Sequence, residues 1–392
     1  MKRSLEVADV FGAFGAAYRQ THQMPIRHLR VMRAIEVCRT AQLGGHLDQC
    51  DHCGTVRISY NSCRNRHCPK CQCLEKERWL EAREKDLLPT AYFHIVFTLP
   101  EGLRLLALRN QKIIYNLLFK AASETLAKLA RDPKHLRAEI GFMAILHPWS
   151  QTLIHHPHLH CLVTGGGLSL DGKQWICSKT NFFIPVKVLS SLFRGKFLDG
   201  LKKDYEAGRL KFQGQIEQLK ETSSFKSFLT SLYRQDWVVY CKSPLKNPEK
   251  VMDYLGRYTH RIALSNDRLI KLEDNHVTFR WRDSADNNKI KLLTLEALEF
   301  IRRFLLHVLP DQFVKIRYYG IMSHRGQKTK LSRCKKLLGV AANEETEEVP
   351  KETWQDLLTR ITGIDPTICP HCGKGRMIQR EILLPQHNGR SP

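Results

Sequence analysis

Residues 155–167 read HHPHLHCLVTGGG, four histidines followed by an apolar run and three glycines. From 158 to 166 the pattern alternates as a half-buried strand does. Leu159, Cys161 and Val163 then point into a core, while His158 and His160 share the opposite face, about 6–7 Å apart at their backbones. Two imidazoles so placed can converge on one cation, although the wet face of a half-buried strand also carries histidines that bind nothing. Pro157 before the run and the glycines after it put the pair at a strand end, where an open site can form. His155 and His156 read as loop residues, nearer to phosphate than to metal.

GFMAILH (141–147) is a second strand candidate. The short connection from 147 to 158 suggests a hairpin that returns His147 beside His158 and His160. That gives three nitrogen ligands with positions left for a substrate oxygen, as catalytic metals require. Gln151, His94 and His156 are reserve ligands. AYFHIVFTLP (91–100), with Phe93, Ile95, Phe97 and Leu99 on one face, is a strand stopped by proline, and DWVVYCK (236–242) is another. Helical patterns lie between: residues 1 to about 37, CLEKERWLEAREKDLLP (73–89), and a Leu/Ala/Lys-rich segment to about 130. Strands interleaved irregularly with helices predict an α+β fold, an antiparallel sheet flanked by helices, with a largely helical C-terminal region. AANEETEEVPKE (341–352) reads as an acidic linker. The expected division is 1–88 (helical start and cysteine-rich module), 89–270 (catalytic domain), 271–340 (basic extension) and 341–392 (linker and small tail).

The chain of 392 residues has 62 Lys+Arg against 39 Asp+Glu, a net charge of +23, with a globular 42% hydrophobic content. A polyanion is the expected partner, nucleic acid first, because neutralised phosphates release counterions. No run of 18 apolar residues suggests a membrane span. The opening MKRSLEVADVFGAFGAAYRQ lacks the uninterrupted apolar core of a signal peptide, so the cytoplasm is expected.

Seven of the 13 cysteines fall between Cys38 and Cys73, which reads as metal ligation rather than disulfide bonding. In CDHCGTVRISYNSCRNRHCPKC (50–71), Cys50-x2-Cys53 and Cys68-x2-Cys71 are separated by fourteen residues. Two such knuckles close a tetrahedral Zn2+ site. Cys63 and His67 are possible extra zinc ligands; Cys38, His46 and Cys73 are further donors that could equally be a buried thiol or an exposed ring. Arg57, Arg64, Arg66, Lys70, Lys76 and Arg78 surround the knuckles and suit a phosphate backbone. Cys369 and Cys372, in ICPHCGKG (368–375), repeat half of the pattern.

NPEKVMDYLGRYTHRIALSN (247–266) opens as a capped helix. Tyr254 and Tyr258 lie one turn apart, with Val251 and Leu255 an ordinary core stripe by periodicity, although the same spacing lets both hydroxyls reach one site. Arg257, His260 and Arg261 accompany them. Beyond lies IRRFLLHVLPDQFVKIRYYGIMSHRGQK (301–328), where Arg302, Arg303, Lys315, Arg317, Arg325 and Lys328 alternate with Tyr318 and Tyr319; mixed basic and aromatic residues suit single strands.

YNSCRNRHCPKCQ (60–72), YFHIVFTLP, HHPHLHCLVTGGG, YLGRYTHRIALSN and EFIRRFLLHVLP (299–310), in this order, resemble the signature stretches of the rolling-circle HUH transposases of the insertion sequence 91 family. The resemblance covers roughly residues 26–340. It implies an HUH-endonuclease-like sheet, an N-terminal zinc-binding domain, and a metal-dependent transesterase acting on single-stranded DNA at transposon ends and on target DNA. It carries His158 and His160 over as ligands of Mg2+ or Mn2+, and Tyr254 and Tyr258 as the nucleophile pair that forms a 5′-phosphotyrosine. A third imidazole from the strand just upstream, as in related relaxases, supports His147. Arg64, Arg66, Arg257, Arg261, Arg302 and Arg303 are then expected to contact DNA, and the glycines after His160 to leave room for its backbone. Two other readings stay open: a non-catalytic zinc-ribbon nucleic-acid binder, and a metal-dependent phosphoesterase that uses water.

Overall fold

The computed structural model describes residues 4–179, 183–245, 247, 250–252, 256, 263–283, 285–325, 327–340 and 352–386. The side chains of Gln72, Cys73, Ser243, Gln327 and Lys328 lie outside this description. Its strands are, in chain order, β1 (Gly45–Cys50), β2 (Val56–Tyr60), β3 (Tyr92–Thr98), β4 (Ala138–Trp149), β5 (His155–Ser169), β6 (Trp175–Cys177), β7 (Val239–Leu245), β8 (Leu269–Glu273), β9 (His276–Asp283), β10 (Lys289–Glu296), β11 (Ile316–Gly320) and β12 (Met377–Leu383). Contacts divide the chain into two units, Leu80–Thr259 with Leu309–Asn343, and Met1–Trp79 with His260–Val308 and Glu344–Pro392.

The first of these units is built on an antiparallel sheet of order β11-β4-β5-β3-β7, with β6 added to β5. The alternation in HLHCLV sets its two faces. Leu159, Cys161 and Val163 join Phe93, Ile95 and Phe97 of β3 and Phe142, Ala144 and Leu146 of β4 in one buried cluster. Two long helices, Gln111–Arg131 and Val186–Glu206, supply Ile114, Leu118, Phe119, Phe193 and Phe197 to the same cluster. Burying a side chain of this size contributes about 1.5–3 kcal/mol. Because directly opposed residues of a ladder face the same way, the pairs His147↔His158, Ile145↔His160, Val96↔His160 and Thr98↔His158 lie together on the face away from those helices. The α+β expectation, an antiparallel sheet flanked by helices, holds.

Two local expectations are corrected. His155 belongs to β5 and is buried against the Tyr115 hydroxyl, 2.7 Å from its Nε2, so it is a core residue and not a loop residue. The three glycines continue the strand and are themselves buried. A Cβ at Gly165 would lie 2.6 Å from the Ala91 carbonyl oxygen, and one at Gly166 would lie 2.7 Å from the Ile176 carbonyl oxygen and the Trp175 indole nitrogen. They admit neighbouring protein backbone and side chain, leaving no room for DNA there.

The second unit holds two three-stranded antiparallel sheets, β12-β1-β2 and β10-β9-β8. The second of these replaces the helical structure expected for much of the C-terminal region. Its turns are the reason. Asp274 and Asn275 have φ of 48° and 61°, and Asn287 and Asn288 have 47° and 61°. Tight hairpins need consecutive positive φ values, which Asn and Asp tolerate. The helix Ala297–Leu305 follows β10, and its Phe304 packs edge-on against Phe11 of the helix Val7–Thr21, with ring centroids 5.3 Å apart. Residues 271–340, expected as one extension, therefore divide between the units: β9, β10 and this helix go with the N-terminus, while β11 pairs with β4.

Candidate functional site: one histidine cluster and two cysteine clusters

β4 and β5 form the hairpin on which the site depends. Its connection is closed by Ser150, whose amide donates to the Ile154 carbonyl at 2.9 Å and whose hydroxyl accepts from the Thr152 and Ile154 amides. That turn brings His147 directly opposite His158. One ring nitrogen from each of His147, His158 and His160 lies within 4.8 Å of the others. His147 Nδ1 and His158 Nε2 are 3.0 Å apart. His158 Nδ1 sits 2.7 Å from the His156 carbonyl oxygen, so Nδ1 carries the proton and Nε2 keeps its lone pair toward the cluster. His94 of β3 plays the same part for His160, its Nε2 lying 2.9 Å from His160 Nδ1. Of the reserve ligands, His94 and His156 thus hold the cluster in place, and Gln151 lies in the turn.

Burial keeps His158, His160 and His94 uncharged. It pushes His158 down to about 4, and with help from Lys242 and His158 it pushes His94 down to about 3. His160 is held well below the ordinary imidazole value by burial and then by His158, His94, Lys242 and Lys315. Three imidazole nitrogens converging at this separation, two of them on rings that burial holds neutral, fit a divalent cation. Lys242 of β7 is the register partner of His94, and Lys315 reaches over Trp149, 5.3 Å from the ring centroid. Trp149 in turn stacks edge-on against His147 at 4.0 Å. Sequence reading gave Lys242 no role; its signal was its place two residues from Tyr240, on the face of β7 opposite the core-facing Val239 and Cys241.

The cysteines form two groups of four, Cys38, Cys63, Cys68 and Cys71 in one, Cys50, Cys53, Cys369 and Cys372 in the other. The single Cys50–Cys53–Cys68–Cys71 site expected from spacing is therefore not formed. Spacing identifies a knuckle but not its partner, and here β12 pairs with β1 from Gly45↔Leu383 to Cys50↔Met377, delivering the tail knuckle to the first one. Cys63 joins a group as expected. His67 does not, and its Nδ1 instead bonds Asn65 Oδ1 at 3.1 Å. His46 lies 3.6 Å from Asp48, and the side chain of Cys73 lies outside the described ones.

Arg64 and Arg66 are exposed, as a phosphate contact requires. Arg57, Lys70, Lys76 and Arg78 are engaged by Asp48, Glu6, Glu77 and Glu75. Arg302 and Arg303 are both held by Glu299, whose carboxyl they pull down to about 2. Arg317 stacks over Phe119 at 4.0 Å on the core side of the sheet. Tyr254, Tyr258, Arg257, His260 and Arg261 lie outside the described residues. No helix among the described residues is long and apolar enough to cross a membrane.

Residues 141–330, which include the whole histidine cluster, match the family model described as "Putative transposase", and residues 10–99 match the model "Transposase zinc-binding domain". The matched regions are those of a transposase, an enzyme whose substrate is DNA. A protein of Sinorhizobium fredii (strain NBRC 101917 / NGR234) described as "Putative transposase y4qJ" is 51% identical over 380 residues, spanning 96% of this chain and 95% of that one. The "Transposase for insertion sequence element IS801" of Pseudomonas savastanoi pv. phaseolicola is 26% identical over 352 residues, spanning 87% of this chain and 80% of its own length. No solved structure matches significantly. The chain belongs to the insertion sequence 91 family of transposases and carries that family's N-terminal zinc-binding domain.

Proposed function

We propose that this transposase is a metal-dependent endonuclease and strand transferase for single-stranded DNA, working through a 5′-phosphotyrosine during rolling-circle transposition. The observation that carries this reading is the convergence of three imidazoles, His147, His158 and the buried His160, on the opposed strands β4 and β5, flanked by Lys242 and Lys315. His147, His158 and His160 would hold Mg2+ or Mn2+, which when bound polarises the scissile phosphate. His94 and the His156 carbonyl fix the orientation of two of the rings, and the lysines attract and hold the phosphate charge. Tyr254 or Tyr258 supplies the attacking oxygen. Its bond to phosphorus forms as the bond to the 3′ oxygen breaks; the phenol proton is lost, the leaving oxygen gains one, and the 5′ phosphate stays on the enzyme.

The energy of the broken bond is retained in the ester, so joining to a second strand needs no nucleotide cofactor. Imidazole donors suit Zn2+ better than Mg2+ in general. Arrival of the cation together with a phosphate oxygen reconciles the donor set with Mg2+ or Mn2+. Arg64 and Arg66, with Arg257 and Arg261, are the proposed backbone contacts, and Cys38, Cys63, Cys68 and Cys71 the proposed zinc ligands of the N-terminal domain.

The test uses 3′-end-labelled single-stranded oligonucleotides carrying candidate element ends, incubated with Mg2+ or Mn2+ and run on a denaturing gel. A DNA-linked protein band, lost on chelation and in Tyr254→Phe/Tyr258→Phe, is the expected result. Cleavage with no linked protein would instead indicate attack by water, and retention without cleavage a binder alone.

A further inference from the structure

We infer that Cys50, Cys53, Cys369 and Cys372 form a second structural zinc site, one that fastens the C-terminal tail to the N-terminal zinc-binding domain. Cys50 Sγ lies 3.8 Å from Cys372 Sγ, and Cys53 Sγ lies 3.7 Å from Cys369 Sγ. Four thiolates about 2.3 Å from a tetrahedral Zn2+ stand roughly 3.8 Å apart along each edge. Two disulfides would require sulfurs about 2.05 Å apart. These two separations match the edges of a metal tetrahedron, and all four sulfurs lie within 4.8 Å of one another.

The two knuckles are also built alike, although they come from opposite ends of the chain. Both read C-x-H-C-G, as CDHCG (50–54) and CPHCG (369–373). In each, the glycine after the second cysteine has positive φ, 70° at Gly54 and 65° at Gly373. In each, that glycine's amide returns to the carbonyl of the first cysteine, at 3.1 Å and 2.9 Å. Sulfur also accepts hydrogen bonds as a thiolate would: the Cys53 amide donates to Cys50 Sγ, the Thr55 hydroxyl lies 3.1 Å from Cys53 Sγ, and the Gly375 amide donates to Cys372 Sγ. Gly375 permits the approach, because a Cβ there would lie 2.5 Å from Cys50 Sγ.

Apart from the sulfurs, the tail is held by polar bonds, among them the Arg376 amide donating to the Asp51 carboxylate at 2.7 Å and Arg57 donating to the Pro366 carbonyl. β12 is exposed along most of its length, with Ile382 69% accessible, so apolar burial contributes little beyond the backbone ladder to β1. Metal binding supplies folding free energy directly where a core is thin. This inference is independent of the tyrosine chemistry.

Full-length His158→Ala/His160→Ala protein, whose histidine cluster cannot compete for zinc, is expected when purified without chelator to hold two zinc ions per chain by plasma mass spectrometry, falling to one when Cys369→Ser/Cys372→Ser is added. One zinc before the cysteine substitutions, or two after them, would overturn the site. Thiol alkylation of the unaltered protein, read by mass spectrometry, gives an answer that does not depend on a variant folding. Cys50, Cys53, Cys369 and Cys372 are expected to resist modification and become reactive together on chelation, whereas the exposed Cys177 reacts throughout. Prompt alkylation of Cys369 and Cys372 before chelation would contradict the inference.

Discussion

His94 and His160 illustrate how a single nitrogen decides what a site can bind. With His94 Nε2 at 2.9 Å from His160 Nδ1, the remaining nitrogen of His160 is turned into the cluster. His94→Gln is therefore expected to weaken Mn2+-dependent cleavage roughly 10- to 100-fold, the usual effect of losing an orienting partner of a metal ligand, with recovery at higher Mn2+. His158→Ala removes a ligand and should not recover. Metal titrations of cleavage distinguish the two. A histidine outside the site adds to the acid sensitivity: His28 is pushed down to about 4 by burial and then by Arg27. Its folded value lies below its unfolded one, so the unfolded chain takes up the proton first. The stability it allows is full above pH 6.5 and lost as pH falls toward 4. His28→Gln should make that part of the urea-midpoint profile shallower, and an unchanged profile would remove His28 as a contributor. The alternation in HLHCLV made the site-bearing face legible, because period two admits one assignment of sides. His94 and Lys242 were not legible as site residues, since their roles come from strand pairings that the sequence does not state.

At the scale of elements, β5 carries two burdens, a core face and a site face. Leu159→Ala, in the middle of the buried cluster, should cost about 2–5 kcal/mol by denaturant unfolding, through lost burial and the cavity left behind. Gly166→Ala forces a Cβ against Ile176 and Trp175 and should cost about 1–3 kcal/mol. If it proved neutral, the close approach of β6 to β5 would be wrong. The hairpin β4–β5 could be read from its short connection. The meander β8–β10 could not be read from helix propensity, and the signal lay in the paired Asp274-Asn275 and Asn287-Asn288 turns. The knuckles were legible one by one. Their partners were not, because pairing is set by β12 joining β1 across nearly the whole chain.

For the whole molecule, a charge of +23 makes DNA binding a salt-sensitive property. Each neutralised phosphate of a single strand adds about 0.7 to the slope of log affinity against log salt. About six contacts would then cost roughly two and a half orders of magnitude between 50 and 200 mM salt, measured by fluorescence anisotropy. Charge alone identifies a polyanion partner and no chemistry; the chemistry lies in the histidine cluster. The most direct test of that assignment is the denaturing gel with a labelled single-stranded element end and Mn2+. A protein–DNA band that disappears in His158→Ala/His160→Ala and in Tyr254→Phe/Tyr258→Phe is the predicted result, and a band of undiminished intensity in either variant would contradict it.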